Sequence, residues 1–161
     1  MRHPYRDFLI RDWQPGDRQS VSDLVKTVLA EYGMTFDPDG TDRDAVQIED
    51  AYWKTGGEFW VVDYHGSVVG SGGYHPSHRS QNAVELRKMF IMPECRRQGL
   101  GRLMLGELES SAAAKGFDEM WLETATVLKE AISLYERSGY QPSTGVETQR
   151  CDRIYYKKLV P

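Results

Sequence analysis

A turn with two glycines joins a strand pattern to a helix pattern near the middle of the chain, in AVELRKMFIMPECRRQGLGRLML. The segment before the turn is mostly apolar and ends at Pro93, whose ring cannot continue a ladder of hydrogen bonds. After the glycines, apolar residues recur at the spacing of one buried helix face, and they are Leu100, Leu103, Met104, Leu108 and Ala112. A strand that leads directly into an amphipathic helix predicts an α/β fold.

The rest of the chain alternates between the same two patterns. Strands are predicted in DFLIRDW, EMWLETA and CDRIYYKKLV, and EFWVVDYHGSVVGSGGY predicts a hairpin that turns at His65-Gly66. Helices are predicted in DRQSVSDLVKTVLAEYG and in KEAISLYERSG, which ends at Gly139. A further helix is predicted across TDRDAVQIEDAYWKTGG, with Thr41 and Asp44 as a capping box. The chain is therefore predicted to be α/β with mixed strand order.

Composition limits the kind of protein this can be. The 161 residues contain no internal repeat, low-complexity tract or long linker, which predicts a single domain over residues 1–161. A net charge of −4 argues against a general nucleic-acid binder. We expect no membrane association, because no signal-peptide pattern or membrane-spanning run occurs. We expect a cytoplasmic location with reduced thiols, because Cys95 and Cys151 form no CxxC pair.

The glycine turn has the features of an anion-binding site. A helix N-terminus carries unpaired N–H groups and a partial positive charge, and Gly99 and Gly101 leave its backbone open to a ligand. Three arginines, which are Arg96, Arg97 and Arg102, add donors suited to phosphate oxygens. The segment has neither a P-loop pattern nor a third glycine for GxGxxG. A pyrophosphate cradle and a solvated loop with two tolerated glycines both remain open on these residues alone.

Three segments together resemble the GNAT N-acetyltransferase superfamily: ELRKMFIMPECRRQGLGRLML, WLETA and ISLYERSGY. The pattern Arg/Gln-x-x-Gly-x-Gly/Ala is matched by Arg96, Gly99 and Gly101. The resemblance implies an acyl-CoA N-acyltransferase fold, with a central mixed, mostly antiparallel sheet flanked by helices. It also implies acetyl-CoA as co-substrate, bound through residues 97–102 and through a bulged strand. The implied cofactor contacts are Met89, Phe90, Ile91, Arg96, Arg97, Gln98, Gly99, Leu100, Gly101 and Arg102.

One position departs from the family. An asparagine that often contacts the cofactor, seven residues before the tyrosine of LYE, is Leu128 here. The adjacent polar residues Arg87 and Lys88 interrupt the alternation of their strand, which is compatible with the bulge that the family has.

The implied reaction needs a base and an acid. A lysine-like amine has a pKa near 10.4, so about one molecule in a few thousand is neutral at pH 7. Glu85 and Glu123 lie on the two strands where family members place glutamates, and we expect either one to accept the amine proton, with Glu85 ranked first. Tyr135 matches the family's general acid, although it also shares a helix face with apolar residues. Each glutamate is equally compatible with a surface carboxylate.

The acceptor is the least defined partner in the sequence. The resemblance implies a primary amine on a small molecule or peptide, attacked directly in a ternary complex, and a homodimer is left open. The loop acids Asp37, Asp39, Asp42 and Asp44 suit either a cationic amine or helix capping. No metal is expected, because His75 and His78 have no further ligands near them in the chain. The competing hypothesis is a non-catalytic acyl-CoA-binding sensor or regulatory module.

Overall fold

The computed structural model describes residues 1–160, which form one mixed sheet with helices on both faces. Its strands are β1 (Arg2–Tyr5), β2 (Phe8–Asp12), β3 (Glu58–Tyr64), β4 (Ser67–Ser77), β5 (Ala83–Ile91), β6 (Glu119–Thr124), β7 (Gln141–Pro142) and β8 (Arg153–Lys158). Its helices are α1 (Arg18–Glu31), α2 (Arg43–Val46), α3 (Leu100–Ala114) and α4 (Lys129–Arg137). None of the helices within residues 1–160 combines the length and apolar character of a membrane span.

The strand order is β1-β2-β3-β4-β5-β6-β8-β7, and all neighbours are antiparallel except β5 and β6. That parallel pair is short, because it joins only Ala83–Glu85 to residues 119–121. Both strands continue beyond this point without pairing to each other. The sheet therefore opens between the second half of β5 and the end of β6. The predicted fold, a mixed and mostly antiparallel sheet flanked by helices, is confirmed.

A β-bulge lies in β5 just after the two strands separate. On β4, Ser71 pairs with Phe90 and Gly73 pairs with Arg87, so Lys88 and Met89 together occupy the space opposite Gly72. Lys88 has a φ of 52°, which is uncommon for a residue with a side chain. The buried Ser71 hydroxyl donates a 2.7 Å hydrogen bond to the Lys88 carbonyl oxygen and stabilises this conformation. The bulge implied by the family resemblance is present.

Apolar packing fixes the helices that surround this opening. The inward face of α3 buries Leu100, Met104, Leu105, Leu108 and Ala112, and Leu103 is partly buried. On the other face of the sheet, α1 buries Val21, Leu24, Val25, Val28 and Leu29. Each fully buried leucine contributes about 2 kcal/mol. The predicted helical periodicities are thus confirmed for both helices, which end close to Gly33 and Gly116, both at positive φ.

The helix predicted across residues 41–57 is wrong in detail. The chain there forms the short α2, leaves helical geometry at Gln47, and then forms a separate turn of π-helix at Glu49–Trp53. The Thr41–Asp44 capping box is absent, since α2 begins after Asp42 without a side-chain cap. The Asp44 carboxylate instead accepts a 2.7 Å hydrogen bond from the Tyr52 hydroxyl. Two short strands, β1 and β7, are not predicted from the sequence.

A substitution at Gly73 can test how tightly the sheet is packed beside the bulge. A Cβ atom there would lie 2.5 Å from the Glu58 carbonyl oxygen and 2.6 Å from the Phe59 ring. We expect Gly73→Ala to lower the free energy of unfolding by about 1–3 kcal/mol, because the backbone cannot give way easily. Gly16→Ala is the matched control, since its Cβ meets nothing within 4 Å, and it should stay within about 0.5 kcal/mol. Urea unfolding measures both, and equal stabilities would contradict the packing described.

Candidate active site

A cavity of about 850 Å³ occupies the opening between β5 and β6. The bulged half of β5 forms one wall, and the end of β6 with α4 forms the opposite wall. The N-terminus of α3 closes one end, and the end of α1 and the loop before β8 border the other parts. Among the predicted residues that line it are Glu85, Met89, Phe90, Ile91, Arg96, Arg97, Gly99, Leu100, Gly101, Arg102, Glu123 and Tyr135.

The turn before α3 has the geometry expected of an anion site. Arg97 and Gly99 both have positive φ, 63° and 85°, and α3 begins directly after Gly99. The Gly99 carbonyl oxygen accepts the first bond of the helix, from the Leu103 N–H. The preceding N–H groups of the first turn of α3 have no acceptor within the helix. Because Gly99, Leu100, Gly101 and Arg102 line the cavity, this positive helix end faces it.

Gln98 is the one predicted cofactor contact that does not line the cavity. Its carbonyl oxygen accepts a 2.6 Å hydrogen bond from the Tyr5 hydroxyl, which attaches the turn to β1. A Cβ atom on Gly99 would lie 2.9 Å from the same hydroxyl oxygen. Gly99 is therefore required both by its backbone angles and by the closeness of Tyr5. A side-chain contact between Gln98 and a cofactor has no support from this arrangement.

The three arginines of the turn differ in what they can bind. The Arg96 guanidinium donates two hydrogen bonds to Glu31, at 2.7 and 2.8 Å, and its Nε donates to the Ile91 carbonyl oxygen. This side chain ties the turn to α1 and β5, and each of its three nitrogens donates within the protein. The cofactor contact of Arg96 stays a prediction. The Arg97 side chain is 88% exposed, with Glu130 at 3.6 Å, and Arg102 is also exposed. Arg97 and Arg102 are the arginines free to reach an anion.

Tyr135 projects from α4 into the cavity and is 6% exposed. Within residues 1–160 its hydroxyl has no hydrogen-bond partner, while its ring packs edge-on against Tyr140 at 5.8 Å. Burial, and then the neighbouring Cys151, raises the pKa of Tyr135 well above its usual value. The hydroxyl therefore keeps its proton at neutral pH and has no partner inside the protein that competes for it.

The two candidate glutamates lie in different surroundings. The Glu123 carboxylate accepts hydrogen bonds from the Arg79 guanidinium and from the backbone N–H groups of Glu147 and Thr148. The Glu85 carboxylate has longer contacts, at 3.3 Å to Arg87, 3.8 Å to His75 and 3.9 Å to Arg79. Glu123 is thus saturated by protein donors, whereas Glu85 retains more room for an amine or a water molecule.

A buried network of charges lies beside the bulge and is not predicted from the sequence. The Lys88 Nζ lies 3.0 Å from Asp44 and 3.3 Å from Asp42, and Arg87 Nε lies 3.4 Å from Asp44. Arg150, on the loop before β8, donates to Asp42 at 2.7 Å. Burial alone would raise the pKa of Asp44, but Lys88 and Arg87 outweigh burial and hold that pKa below its usual value. The bulge explains the arrangement, because it lets the consecutive Arg87 and Lys88 reach the same carboxylate.

Within the acidic loop, Asp42 and Asp44 are not available to attract a cationic amine. Asp42 is fully buried and already paired with two cations, and Asp44 is paired in the same way. Asp37 accepts a hydrogen bond from the Thr41 N–H. Within residues 1–160, no group of three or more His, Cys, Asp or Glu residues is arranged to hold a metal ion.

A splayed parallel strand pair, a bulge, a helix N-terminus and a buried tyrosine surround one cavity, which is the arrangement that the family resemblance implies for an acyl-CoA N-acyltransferase. The model of the Acetyltransferase (GNAT) family matches residues 23–140, more than half of the chain, and the chain therefore belongs to that family. The family and the acetyltransferase class predicted from the sequence are confirmed.

Curated relatives agree with this assignment. The chain is 37% identical over 128 residues to YjgM of Escherichia coli, named an uncharacterized N-acetyltransferase, and the match covers 78% of this chain and 77% of that protein. It is 25% identical over 146 residues to a protein of Schizosaccharomyces pombe that is also named an uncharacterized N-acetyltransferase, and the match covers 90% and 89% of the two chains. It is 30% identical to the probable N-acetyltransferase camello of Xenopus tropicalis, where the match covers 63% of this chain and 47% of camello.

Solved structures share the fold. An acetyltransferase of the GNAT family from Staphylococcus aureus Mu50 superposes with a TM-score of 0.87 at 21% identity, covering 95% of this chain and 99% of the other. A phosphinothricin acetyltransferase from Sinorhizobium meliloti, solved in complex with acetyl-CoA, superposes with a TM-score of 0.73 at 21% identity, covering 95% and 89%. At these identities the likeness establishes the fold.

Cys151 provides a test of the polarity of the cavity wall. Burial, and then the Glu123 carboxylate, raises the pKa of its thiol to about 11. Since the thiolate is the nucleophile, alkylation by iodoacetamide should be slow at pH 7 and should rise about tenfold per pH unit through pH 9. Peptide mass spectrometry can follow Cys151 separately from the buried Cys95. A rate that levels off below pH 9 would contradict this environment.

Proposed function

We propose that this chain transfers the acetyl group of acetyl-CoA to a primary amine by direct attack in a ternary complex. The observation that carries the proposal is one continuous cavity that joins the N-terminus of α3, the bulge of β5, Tyr135 and Glu85. Relatives of the same fold are described with acetyl-CoA bound, including the Sinorhizobium meliloti enzyme and yncA of Salmonella typhimurium. This activity would belong to a single cytoplasmic domain over residues 1–161, with both cysteines as free thiols.

The cofactor pyrophosphate would lie at the N-terminus of α3. Its oxygens would accept from the backbone N–H groups of residues 97–102, and Arg97 and Arg102 would add charge from their exposed positions. Beyond Glu85, β5 has no strand partner on the β6 side, so Met89, Phe90 and Ile91 can pair with the pantetheine arm. The acetyl carbonyl would then reach the bulge, where the Met89 or Phe90 N–H would stabilise the oxyanion.

The amine would react as the free base. Glu85 is the proposed base, acting directly or through a water molecule, because its carboxylate lines the cavity with longer protein contacts than that of Glu123. The amine nitrogen forms the new C–N bond with the acetyl carbon, and its proton passes to Glu85. The C–S bond breaks as the tetrahedral intermediate collapses, and the sulfur leaves as a thiolate.

Tyr135 is the proposed acid for that thiolate. Its buried hydroxyl is protonated and faces the cavity, as an acid at this step requires. Leu128 also lines the cavity, at the position before α4 where the family resemblance implies an asparagine. This chain lacks that polar cofactor contact, so the α3 turn and β5 would contribute most of the binding.

Calorimetric titration tests the cofactor assignment. We expect acetyl-CoA to bind in the micromolar range and acetyl-pantetheine, which lacks the phosphates, to bind much more weakly. The reason is that the α3 turn is an anion site and contributes little to a neutral arm. Equal affinity for the two ligands would contradict the pyrophosphate cradle, and absence of acetyl-CoA binding would overturn the proposed function.

Substitution of Tyr135 tests the acid. We expect Tyr135→Phe to lower kcat by about 10²-fold or more, with little change in the KM for acetyl-CoA, because general acids contribute on that scale. Tyr140→Phe is the matched control: Tyr140 packs on the same ring but donates to Glu109 and does not line the cavity. Thiol release with a panel of amines measures both variants. Full turnover in Tyr135→Phe would assign Tyr135 to packing.

A further inference from the structure

The part of the cavity beyond the bulge is lined by charged side chains from three separate segments. Glu85, Arg87 and Lys88 come from β5, Glu123 comes from β6, and Arg150 comes from the loop before β8. We call the part of the cavity lined by Glu85, Arg87, Lys88, Glu123 and Arg150 the acceptor end. Its β5 residues precede Met89, Phe90 and Ile91 and are therefore farther along the chain from the α3 turn, so a bound cofactor would leave this end for the second substrate.

Apart from Glu85, the proposed base, the negative groups at the acceptor end are already occupied. Glu123 accepts from one guanidinium and two backbone N–H groups. Asp42 and Asp44 both contact Lys88, and neither of them lines the cavity. An ammonium group would therefore find few carboxylate oxygens free to receive its hydrogen bonds.

Positive groups at the acceptor end retain unused donors. A guanidinium carries five N–H donors, and within residues 1–160 Arg150 makes one hydrogen bond, to Asp42. Its side chain is 19% exposed, so the remaining donors are accessible from the cavity that it lines. Lys88, which is 6% exposed, adds a positive charge that shares the same Asp42. The acceptor end thus has a surplus of donors over acceptors.

Charge balance points in the same direction. Among the buried groups, four carboxylates, Asp42, Asp44, Glu85 and Glu123, are in contact with four cations, Arg79, Arg87, Lys88 and Arg150. The exposed Glu147 also contacts Arg79, at 3.2 Å. A simple alkylammonium ion would bring an unpaired charge into this balanced and largely buried network, which is costly. A zwitterion would bring no net charge, and its negative group would meet the free donors of Arg150.

We infer that the acceptor is a small amino carboxylate, whose carboxylate is bound by Arg150 with the support of Lys88. This inference rests on the proposed function and names its substrate class. Lys88 belongs to the bulge where the acetyl carbonyl would lie, so the carboxylate sits close to the reacting amine, as in an amino acid. Val28, Leu29 and Met34 also line the cavity and offer apolar contacts to the rest of such a molecule.

Matched acceptors test the inference without any substitution. Each amino acid is compared with its amide and with the amine that lacks the carboxylate, for example leucine, leucinamide and 3-methylbutylamine, in the presence of acetyl-CoA. We expect kcat/KM for the preferred amino acid to exceed that of its amide by about ten- to a hundredfold, the scale of a lost charged hydrogen bond. The amide has the less basic amine and therefore more free base at neutral pH. Amine ionisation alone would thus favour the amide over the amino acid.

Arg150→Gln tests the residue. Its kcat/KM should fall for the amino acid much more than for the amide, so the ratio between them approaches one. Arg43→Gln is the control, since Arg43 is exposed, adjoins the buried Asp42 in sequence and does not line the cavity, and it should keep the full ratio. If Arg150→Gln does not fold, the comparison of matched acceptors on the unaltered protein still decides the proposal.

The outcomes separate this inference from the function on which it rests. Failure of acetyl-CoA to bind overturns the proposed function and the inference with it. Binding of acetyl-CoA with equal or faster acetylation of amides, plain amines or a leucyl peptide overturns the inference alone. Binding of acetyl-CoA without acetylation of any of the twenty amino acids also overturns it. A preference for the free carboxylate that is lost in Arg150→Gln supports it.

Discussion

The parallel pairing of β5 and β6 ends after Glu85, and the cavity exists because it ends there. Had the pairing continued, the ladder would have consumed the backbone groups of Met89, Phe90 and Ile91. The sheet remains stable because β4 holds the other side of β5 along its length and α3 packs beneath it. One interrupted ladder thus leaves a strand edge available to a ligand without exposing the core.

The bulge places charged side chains at one end of that free strand edge. Lys88 at a φ of 52° places two consecutive cations near Asp44, and the Ser71 hydroxyl stabilises the turn of the backbone at the Lys88 carbonyl. The conformation is costly for a residue with a side chain. The ion pairs of Lys88 and the Ser71 hydrogen bond offset that cost. The same contacts that hold the bulge therefore place the charges at the acceptor end.

Local patterns in the sequence predicted most of the fold, since apolar spacing and glycines mark α1, α3 and β5 directly. They failed across residues 41–57 because the side chains of Asp42 and Asp44 serve distant cations instead of capping a helix. Contacts of that kind cannot be read locally: Arg96 pairs with Glu31 across 65 positions, and Arg150 pairs with Asp42 across 108. The family pattern located the cofactor end, whereas the acceptor end is built from pairings that no local motif records. The strands β1 and β7 were missed because they are too short to show alternation.

Asp42 links the bulge of β5 to the loop before β8. It is fully buried, it contacts Lys88 of the bulge, and it accepts a hydrogen bond from Arg150 of the loop before β8. A carboxylate in that position cannot lose either partner cheaply, because an uncompensated buried charge costs several kcal/mol. The backbone that would stabilise the oxyanion and the guanidinium that would bind the acceptor are therefore fixed relative to each other through one side chain. An acceptor held by Arg150 would be positioned against the acetyl group through Asp42, which also contacts the bulge. The same network would therefore both bind the acceptor and align it for attack.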